Sequence, residues 1–247
     1  MTYTIDAHVH LGRSYDGEYT IDDGELIRRM DARSIDKAVI FPFTDTPGPS
    51  EDAHDKVADA VKEHPDRLIG FARVDPRYGQ RAVEELEHAI EDLGLTGLKF
   101  HPSSSCTSPY HPQSLTVMKK ACELKIPVII HSGDETNALP EHIARLSELL
   151  PELTIIMAHM GYVEHANRAI QIARSHANIY LETSIQQSPF RLKIAVQKLG
   201  AERLIFGSNM PKGDLEVELV KIECVELNPQ QKELVLGGNI ARILGIR

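Results

Sequence analysis

The tripeptide His8-Val9-His10 is the clearest chemical signal near the start of the chain. Successive residues of a β-strand point to opposite faces, so two histidines that stand two positions apart project from the same face. Both imidazoles can then bind one metal ion, and histidine clusters are a recurrent ligand set for zinc and related ions. The alternative is that these side chains only cap a strand or bond neighbouring backbone groups.

Further polar side chains follow other short apolar segments of the chain. They stand where predicted strands end, and they are Lys99, His101, His131, His159 and Asn209. Because the carboxyl ends of parallel strands in a barrel meet at one face, we expect these residues to converge with the first histidine pair. Five of the 12 histidines would then share one face, which favours a functional site over isolated strand caps. We expect the other seven histidines at the surface: His54, His64, His88, His111, His142, His165 and His176.

Positively charged side chains are also predicted near this face. They are Arg13, Arg73, Lys99 and Lys212. Several cations that converge on one pocket suit a carboxylate, which arginine can bind bidentately. A lysine on the inward face of a barrel strand is costly unless it is paired or used, whereas Arg13 and Lys212 could equally be surface charges or pair with Asp6 or Asp75. We therefore assign substrate binding to Arg13, Arg73, Lys99 and His101.

The elements that must position these residues alternate between short apolar runs and longer segments of helical periodicity, which is typical of repeated βα units. Eight strands are predicted, at 3–8, 37–41, 68–74, 97–101, 128–131, 154–159, 179–182 and 204–207. Ser50, Pro140 and Pro189 are predicted helix starts. The count of eight favours an α/β fold of the closed (β/α)₈ TIM-barrel type. An open doubly wound sheet is the alternative, although no GxGxxG phosphate loop follows the first strand.

Length and composition set further limits. The chain has 247 residues, 42% of them hydrophobic, and we expect a single domain over residues 1–247. The formal net charge of −9 lacks the basic surface that nucleic acid requires, so a small molecule is the expected partner. No apolar run is long enough to span a bilayer, and three widely spaced cysteines fit neither a disulfide framework nor a zinc knuckle. We expect a cytoplasmic protein and leave open whether it forms a homo-oligomer.

Several motifs together resemble the amidohydrolase superfamily, in particular the branch of aminocarboxymuconate-semialdehyde decarboxylase and its hydrolase and decarboxylase relatives. They are IDAHVHLG (5–12), GLKFHP (97–102), VIIHSG (128–133), AHMG (158–161), YLETS (180–184), LIFGSNMP (204–211) and LGGNIARILGI (236–246). The resemblance implies that His8, His10 and His131 are metal ligands and that His159 is a metal-adjacent or proton-handling residue. The implied ion is divalent, most commonly zinc.

The chain departs from the family pattern at one position. The family reads GSDxP after the last strand, where the aspartate binds the metal and often exchanges protons with the attacking water, but this chain has Asn209. An amide oxygen can still bind a metal, so we assign Asn209 to both the metal site and the catalytic residues. An amide brings no negative charge and cannot act as a carboxylate base. We therefore expect weaker metal binding and a catalytic role for His159.

Three functions remain open from the sequence. The leading hypothesis is a hydrolase that adds metal-activated or His-activated water to a lactone, ester or amide-like bond of a small carboxylated or cyclic substrate. The second is a nonoxidative decarboxylase that uses the same site. The third is a barrel that has lost catalysis and binds a ligand or partner. Contacts to the substrate are expected mainly from loops 12–21, 43–50 and 102–112.

Overall fold

The computed structural model describes residues 2–43, 51–133 and 136–246. Its strands are β1 (Ile5–Arg13), β2 (Thr20–Ile21), β3 (Lys37–Pro42), β4 (Leu68–Gly70), β5 (Leu98–Phe100), β6 (Val128–Ile130), β7 (Ile155–Met157), β8 (Ile179–Glu182) and β9 (Leu204–Ile205). Its α-helices are α1 (Asp23–Ala32), α2 (Glu51–Glu63), α3 (Gln80–Glu91), α4 (Pro102–Ser105), α5 (Pro112–Glu123), α6 (Pro140–Leu149), α7 (Tyr162–Ser175), α8 (Pro189–Leu199), α9 (Leu215–Glu223), α10 (Pro229–Glu233) and α11 (Asn239–Leu244).

Parallel strands form a closed barrel. One sheet has the order β2-β1-β3-β4, with β2 antiparallel to β1, and the other has the order β5-β6-β7-β8-β9. Parallel bridges join them at both seams, from Ala72 to Leu98 and from Val9 to Met210. At the second seam the N–H of Asn209 donates to the carbonyl of His8 at 2.8 Å. The expected (β/α)₈ barrel is thus confirmed.

Two apolar clusters show how the barrel is filled. The smaller one is made mainly of alternate strand residues such as Phe41, Phe71 and Ile129, which therefore lie inside the barrel. The larger one combines the other strand face with helix residues such as Leu26 and Leu86. Each strand is consequently buried on both faces, as parallel sheets require.

All eight predicted strands overlap a strand of the structure, but their ends differ. The first continues to Arg13, so the two histidines lie within it rather than at its end. The third, predicted at 68–74, forms only three residues of regular strand, from Leu68 to Gly70. The short β2 was not predicted, because two residues carry no periodic pattern.

The loop and helix predictions can be compared only in part. Pro140 and Pro189 begin α6 and α8, as predicted. Ser50 and most of the 43–50 loop, namely residues 44–50, lie outside the described residues. Within the described ranges, none of the helices combines the length and the apolarity that crossing a lipid bilayer demands.

Candidate active site at the carboxyl ends of the strands

A cavity of about 360 Å³ opens at the carboxyl ends of the barrel strands. Its described lining is His8, His10, Lys99, His101, Ser103, Ser104, His131, His159, Tyr162, Ile185, Asn209 and Lys212. Five of these residues are histidines and two are lysines, and no carboxylate is among them. The cavity is therefore positively charged and suits a small anion. Its volume lies at the lower end of the range for small-molecule sites.

The histidine pair of β1 is held by residues from three other segments. Nδ1 of His8 lies 2.9 Å from Oε2 of Glu182, and Nε2 of the same ring lies 3.1 Å from Nζ of Lys99. Nε2 of His10 lies 3.1 Å from Oδ1 of Asn209. Both rings are buried and contact the ring of Phe41 edge-on. Each histidine thus has a fixed orientation toward the cavity.

A strained turn after β7 carries His159. His159, Met160, Gly161 and Tyr162 all have positive φ angles, of 63°, 50°, 74° and 51°. Gly133 allows this turn to pack, because a Cβ at that position would stand 2.4 Å from the carbonyl carbon of Gly161. Non-glycine residues with such backbone angles persist only where the surroundings over-determine them, and such sites are often functional.

A hydrogen-bonded chain leads away from the His159 ring. Nδ1 of His159 lies 2.8 Å from Oγ of Ser184, and that hydroxyl donates to Oε2 of Glu182 at 2.8 Å. Since the hydroxyl proton is given to Glu182, Oγ accepts the Nδ1 proton of His159. Nε2 of His159 then carries a lone pair, and it lies 3.1 Å from Nδ1 of His131. His159 can therefore accept and return a proton at Nε2.

Two further histidines form a stacked pair in the cavity wall. The rings of His101 and His131 are 3.9 Å apart and nearly parallel. His101 also caps α4, since its Nδ1 accepts a hydrogen bond from the N–H of Ser104 at 3.3 Å. The stacking fixes the plane of His131 and thereby the direction of its ring nitrogens.

Burial keeps the cavity histidines neutral. It is the largest cause that lowers the pKa of His8, His10, His101 and His159 well below the usual value, and neighbouring positive charges lower each pKa further. Neutral imidazoles carry a lone pair, which is the form that binds metals and accepts protons.

Two donor atoms lie close to the separation that a shared ion requires. Nε2 of His10 and Oδ1 of Asn209 are 3.1 Å apart. Two ligands of one tetrahedral zinc, each at about 2.0–2.2 Å, are separated by about 3.4 Å. The imidazoles of His8 and His131 line the same cavity and add two nitrogen donors. The residues present therefore fit a divalent metal ion.

A second combination of donors is less suitable. Nitrogens of His8 and His159 and an oxygen of Glu182 lie within 4.8 Å of one another. However, Glu182 does not line the cavity. Its Oε2 already accepts a hydrogen bond from the His159 N–H, and its Oε1 accepts one from the Ser184 N–H. We therefore place Glu182 behind the histidines rather than among the ligands.

The predicted substrate-binding cations are placed differently from one another. Lys99 and Lys212 line the cavity, whereas Arg13 is exposed and lies against Gly17, away from the lining. Arg73 is buried beside the cavity lining, with Nη2 3.3 Å from Oγ of the lining residue Ser104. The backbone of Arg73 is held by His54, which is buried rather than at the surface as expected, because its Nε2 accepts from the Arg73 N–H at 2.9 Å.

Sequence reasoning missed the polar residues behind the cavity wall. Glu182 and Ser184 belong to the YLETS motif, which on its own predicts no role for either side chain. Lys221 and Glu218 of α9 form a buried ion pair that holds the same loop: Lys221 Nζ donates to the Thr183 carbonyl at 2.7 Å, and Glu218 Oε1 accepts from the Ile185 N–H at 3.0 Å. The sequence signal for this pair is the presence of charged residues at 218 and 221 within the apolar periodic segment that forms α9.

Asp6 ties the first strand to the segment that carries Asn209. Its Oδ1 accepts from the N–H of Ser208 at 2.8 Å and from the N–H of His8 at 3.1 Å, and Oδ2 accepts from the Ser208 hydroxyl. The side chain is fully buried, and this burial raises the pKa of Asp6 to about 7. The folded state therefore keeps a proton on Asp6 up to a higher pH than the unfolded chain does.

Asp6→Asn is expected to change how stability depends on pH. The carboxyl has a higher pKa folded than unfolded, so its contribution is present at low pH and is lost as pH rises from about 4 to about 7. This loss amounts to at most about 4 kcal/mol, and the amide does not suffer it. Urea unfolding at two pH values tests this. Relative to the parent, the free energy of unfolding of the variant should be higher near pH 8 than near pH 5. A constant difference, equal to that of the exposed control Asp66→Asn, would contradict the assignment.

Comparison with known proteins agrees with this architecture. The family model described as amidohydrolase matches residues 5–246. A 2-amino-3-carboxymuconate-6-semialdehyde decarboxylase of Dictyostelium discoideum is 21% identical over 234 residues, which cover 78% of this chain and 65% of the relative, so the chain spans just under two thirds of that protein.

Solved structures share the fold over nearly the whole chain. A 5-carboxyvanillate decarboxylase from Sphingomonas paucimobilis superposes with a TM-score of 0.81 at 17% identity, covering 100% of both chains. A dihydroxybenzoic acid decarboxylase from Polaromonas sp. JS666, with bound manganese and the inhibitor 2-nitroresorcinol, has a TM-score of 0.75 at 17% identity over 99% of this chain and 97% of the other. The family match over almost the full length shows that this chain belongs to the amidohydrolase family.

Proposed function

We propose that this protein is a metal-dependent nonoxidative decarboxylase of a small carboxylate, aromatic or similarly unsaturated. The observation that carries the proposal is the cavity lining, in which the described residues supply histidines and lysines but no carboxylate. Hydrolysis would have to use His159 as the base for the attacking water, since the family's aspartate is absent here. Decarboxylation needs a cationic site for the carboxylate and one proton for carbon. The decarboxylases among the relatives support this choice over the hydrolase hypothesis.

A divalent metal would be held by His8, His10, His131 and Asn209. When bound, it would act as a Lewis acid toward the substrate's carboxylate or adjacent oxygen. Manganese in one structural neighbour supports a divalent ion without favouring zinc. Imidazole and amide ligands bring no negative charge, so the protein supplies no anionic ligand from the described cavity wall.

The other residues bind the substrate and move the proton. Lys99 and Lys212 present ammonium groups to the cavity and would bind the carboxylate, with Arg73 and His101 placed to support it. The carbon–carbon bond to the carboxylate breaks, its electron pair stays on the substrate carbon, and CO₂ leaves. His159 would accept at Nε2 the proton of a hydroxyl on the substrate and deliver it to that carbon, where the electron pair forms the new C–H bond, while Ser184 holds Nδ1. The oxyanion left on the substrate would take up a proton from solvent.

Product analysis tests the proposal directly. Purified protein with Mn²⁺ or Zn²⁺ is incubated with 5-carboxyvanillate, dihydroxybenzoates and, in parallel, simple lactones and esters. We expect CO₂ release equal to substrate loss from at least one carboxylated phenol and no acid production from the lactones. Hydrolysis without CO₂ would restore the hydrolase hypothesis. Ligand binding without turnover under any metal would favour the binding-protein hypothesis.

Asn209→Asp is expected to bind metal more tightly. The substitution adds an anionic oxygen at a position 3.1 Å from Nε2 of His10, so we expect at least about a tenfold gain in affinity, equivalent to about 1.4 kcal/mol. Elemental mass spectrometry after identical metal exposure and dialysis measures retention, and chelator competition measures affinity. The control Asn167→Asp, on the exposed face of α7, should behave as the parent. Equal retention by the Asn209 variant would remove this residue from the ligand set.

A further inference from the structure

The distribution of charge around the cavity is unbalanced. Its described lining combines neutral histidines with Lys99 and Lys212, and the position that carries an aspartate in the family holds Asn209. A divalent cation bound there would meet like charges without a negative ligand to offset them. Placing a cation there costs electrostatic free energy. A negative charge close behind the lining would therefore contribute more to metal affinity than at a site that already has an anionic ligand.

Glu182 is the carboxylate directly behind the histidines. It is fully buried, and Oε2 lies 2.9 Å from Nδ1 of His8. Gly207 makes room for it, because a Cβ at that position would stand 2.4 Å from Oε1 of Glu182 and 2.8 Å from Cβ of His8. Strands β8, β9 and β1 are thus packed so that the carboxylate reaches the ring.

Glu182 acts as an acceptor in each of its described hydrogen bonds. Oε2 accepts from the Ser184 hydroxyl at 2.8 Å and from the His159 N–H at 3.2 Å, and Oε1 accepts from the Ser184 N–H. A carboxylate offers only acceptor atoms, both to these donors and to any further partner. The remaining partner, Nδ1 of His8, is then a donor as well.

This hydrogen bond determines what His8 offers to the cavity. With the proton on Nδ1, Nε2 carries a lone pair, and the ammonium of Lys99 lies 3.1 Å from it as a donor. A carboxylate that accepts from the far nitrogen of a metal-binding histidine fixes its tautomer and makes the near nitrogen more basic. An ion bound at Nε2 is thereby stabilised by part of the negative charge of the carboxylate.

We propose that Glu182 is a positioning residue that supplies, through His8, the negative charge which Asn209 does not bring to the metal site. The inference rests on the metal site of the proposed function. Glu182 lies on β8, the neighbour of the strand that leads to Asn209, and it acts through a ligand of the ion rather than by contacting the ion.

A double-mutant cycle on metal affinity tests this. Mn²⁺ affinity is measured by competition with a fluorescent chelator for the unsubstituted chain, Glu182→Gln, Asn209→Asp and the double variant. We expect Glu182→Gln to lower affinity about 10–100-fold. Asn209→Asp in that background should recover most of the loss, because it returns the charge. Glu218→Gln is the matched control, since it removes another buried carboxylate that holds the same loop without contacting His8, and it should stay within about threefold of the parent.

The other outcomes overturn the inference. Parental affinity in Glu182→Gln, an equal loss in Glu218→Gln, or a loss that Asn209→Asp fails to recover would each do so. If the unsubstituted chain binds no Mn²⁺, the inference falls with the metal site, and the CO₂ assay then decides separately whether the protein is a decarboxylase.

A measurement on the unsubstituted chain guards against a variant that does not fold. Nitrogen-15 NMR of the metal-free protein reports which ring nitrogen of His8 carries the proton. We expect the Nδ1–H tautomer at neutral pH. The Nε2–H tautomer would require Glu182 to be the donor and hence neutral, which overturns the proposal.

Discussion

Replacing His159 with asparagine is expected to lower kcat for CO₂ release by about 10²–10⁴-fold, the usual contribution of a positioned proton-transfer group. Asparagine can still bond Ser184, but it has no nitrogen that accepts and returns a proton. KM should change little, because the cations that bind the carboxylate are untouched. Steady-state kinetics on the metal-loaded protein measure both constants.

The matched control is His165→Asn, which replaces a histidine of α7 that does not line the cavity. It should retain parental kinetics. If His159→Asn instead raised KM with kcat unchanged, His159 would be a binding residue, and the proton would have to come from elsewhere in the cavity.

Lys221→Met is expected to cause the largest loss of stability. Lys221 and Glu218 are both buried, and the substitution leaves the Glu218 carboxylate without its countercharge. Breaking one side of a buried pair typically costs about 3–5 kcal/mol, which corresponds to a fall in Tm of about 6–20 °C for a chain of this size. Thermal unfolding followed by circular dichroism measures the shift.

The loss should also depend on pH. Burial raises the pKa of Glu218 to about 7 although Lys221 lowers it, and removing the lysine raises it further. Near pH 5.5 the orphaned carboxyl therefore takes up a proton and avoids the cost of a lone buried charge. The fall in Tm should therefore be smaller near pH 5.5 than near pH 8. Lys193→Met, which breaks an exposed pair with Glu226, should cost less than about 1 kcal/mol at either pH. A similar cost for the two lysines would show that Lys221 is not paired as described.

The position of the cavity could be predicted because strand ends converge by geometry. Parallel strands that close into a barrel finish on one side, so histidines far apart in sequence had to meet once the eight apolar runs were recognised. His8, His101 and Asn209 come from three such runs and line one cavity. Arg13 did not follow, because it lies where β1 turns toward β2, and no periodic pattern marks that turn.

Two features of the site could not be predicted from the sequence. They are the backbone angles of the turn that carries His159 and the position of the Glu182 side chain behind the cavity wall. The prediction placed His159 at the end of a strand, but the structure places it in a turn with positive φ angles, which nothing in AHMG specifies apart from its glycine. Glu182 ends an apolar run that looks like any buried strand. That its carboxylate lies 2.9 Å from Nδ1 of His8 becomes visible only in the structure, where Gly207 leaves the space for it.

The seam that closes the barrel has a consequence for how the protein is made. His10 and Asn209 are 199 positions apart in the chain, and Asp6 and Ser208 are 202 apart. The first and last barrel strands therefore meet within the site itself. During synthesis, the ribosome must release the segment around Asn209 before this half of the cavity can form. A complete site for an ion or a substrate therefore exists only after the barrel closes, and the earlier strands have to assemble mainly on their apolar core.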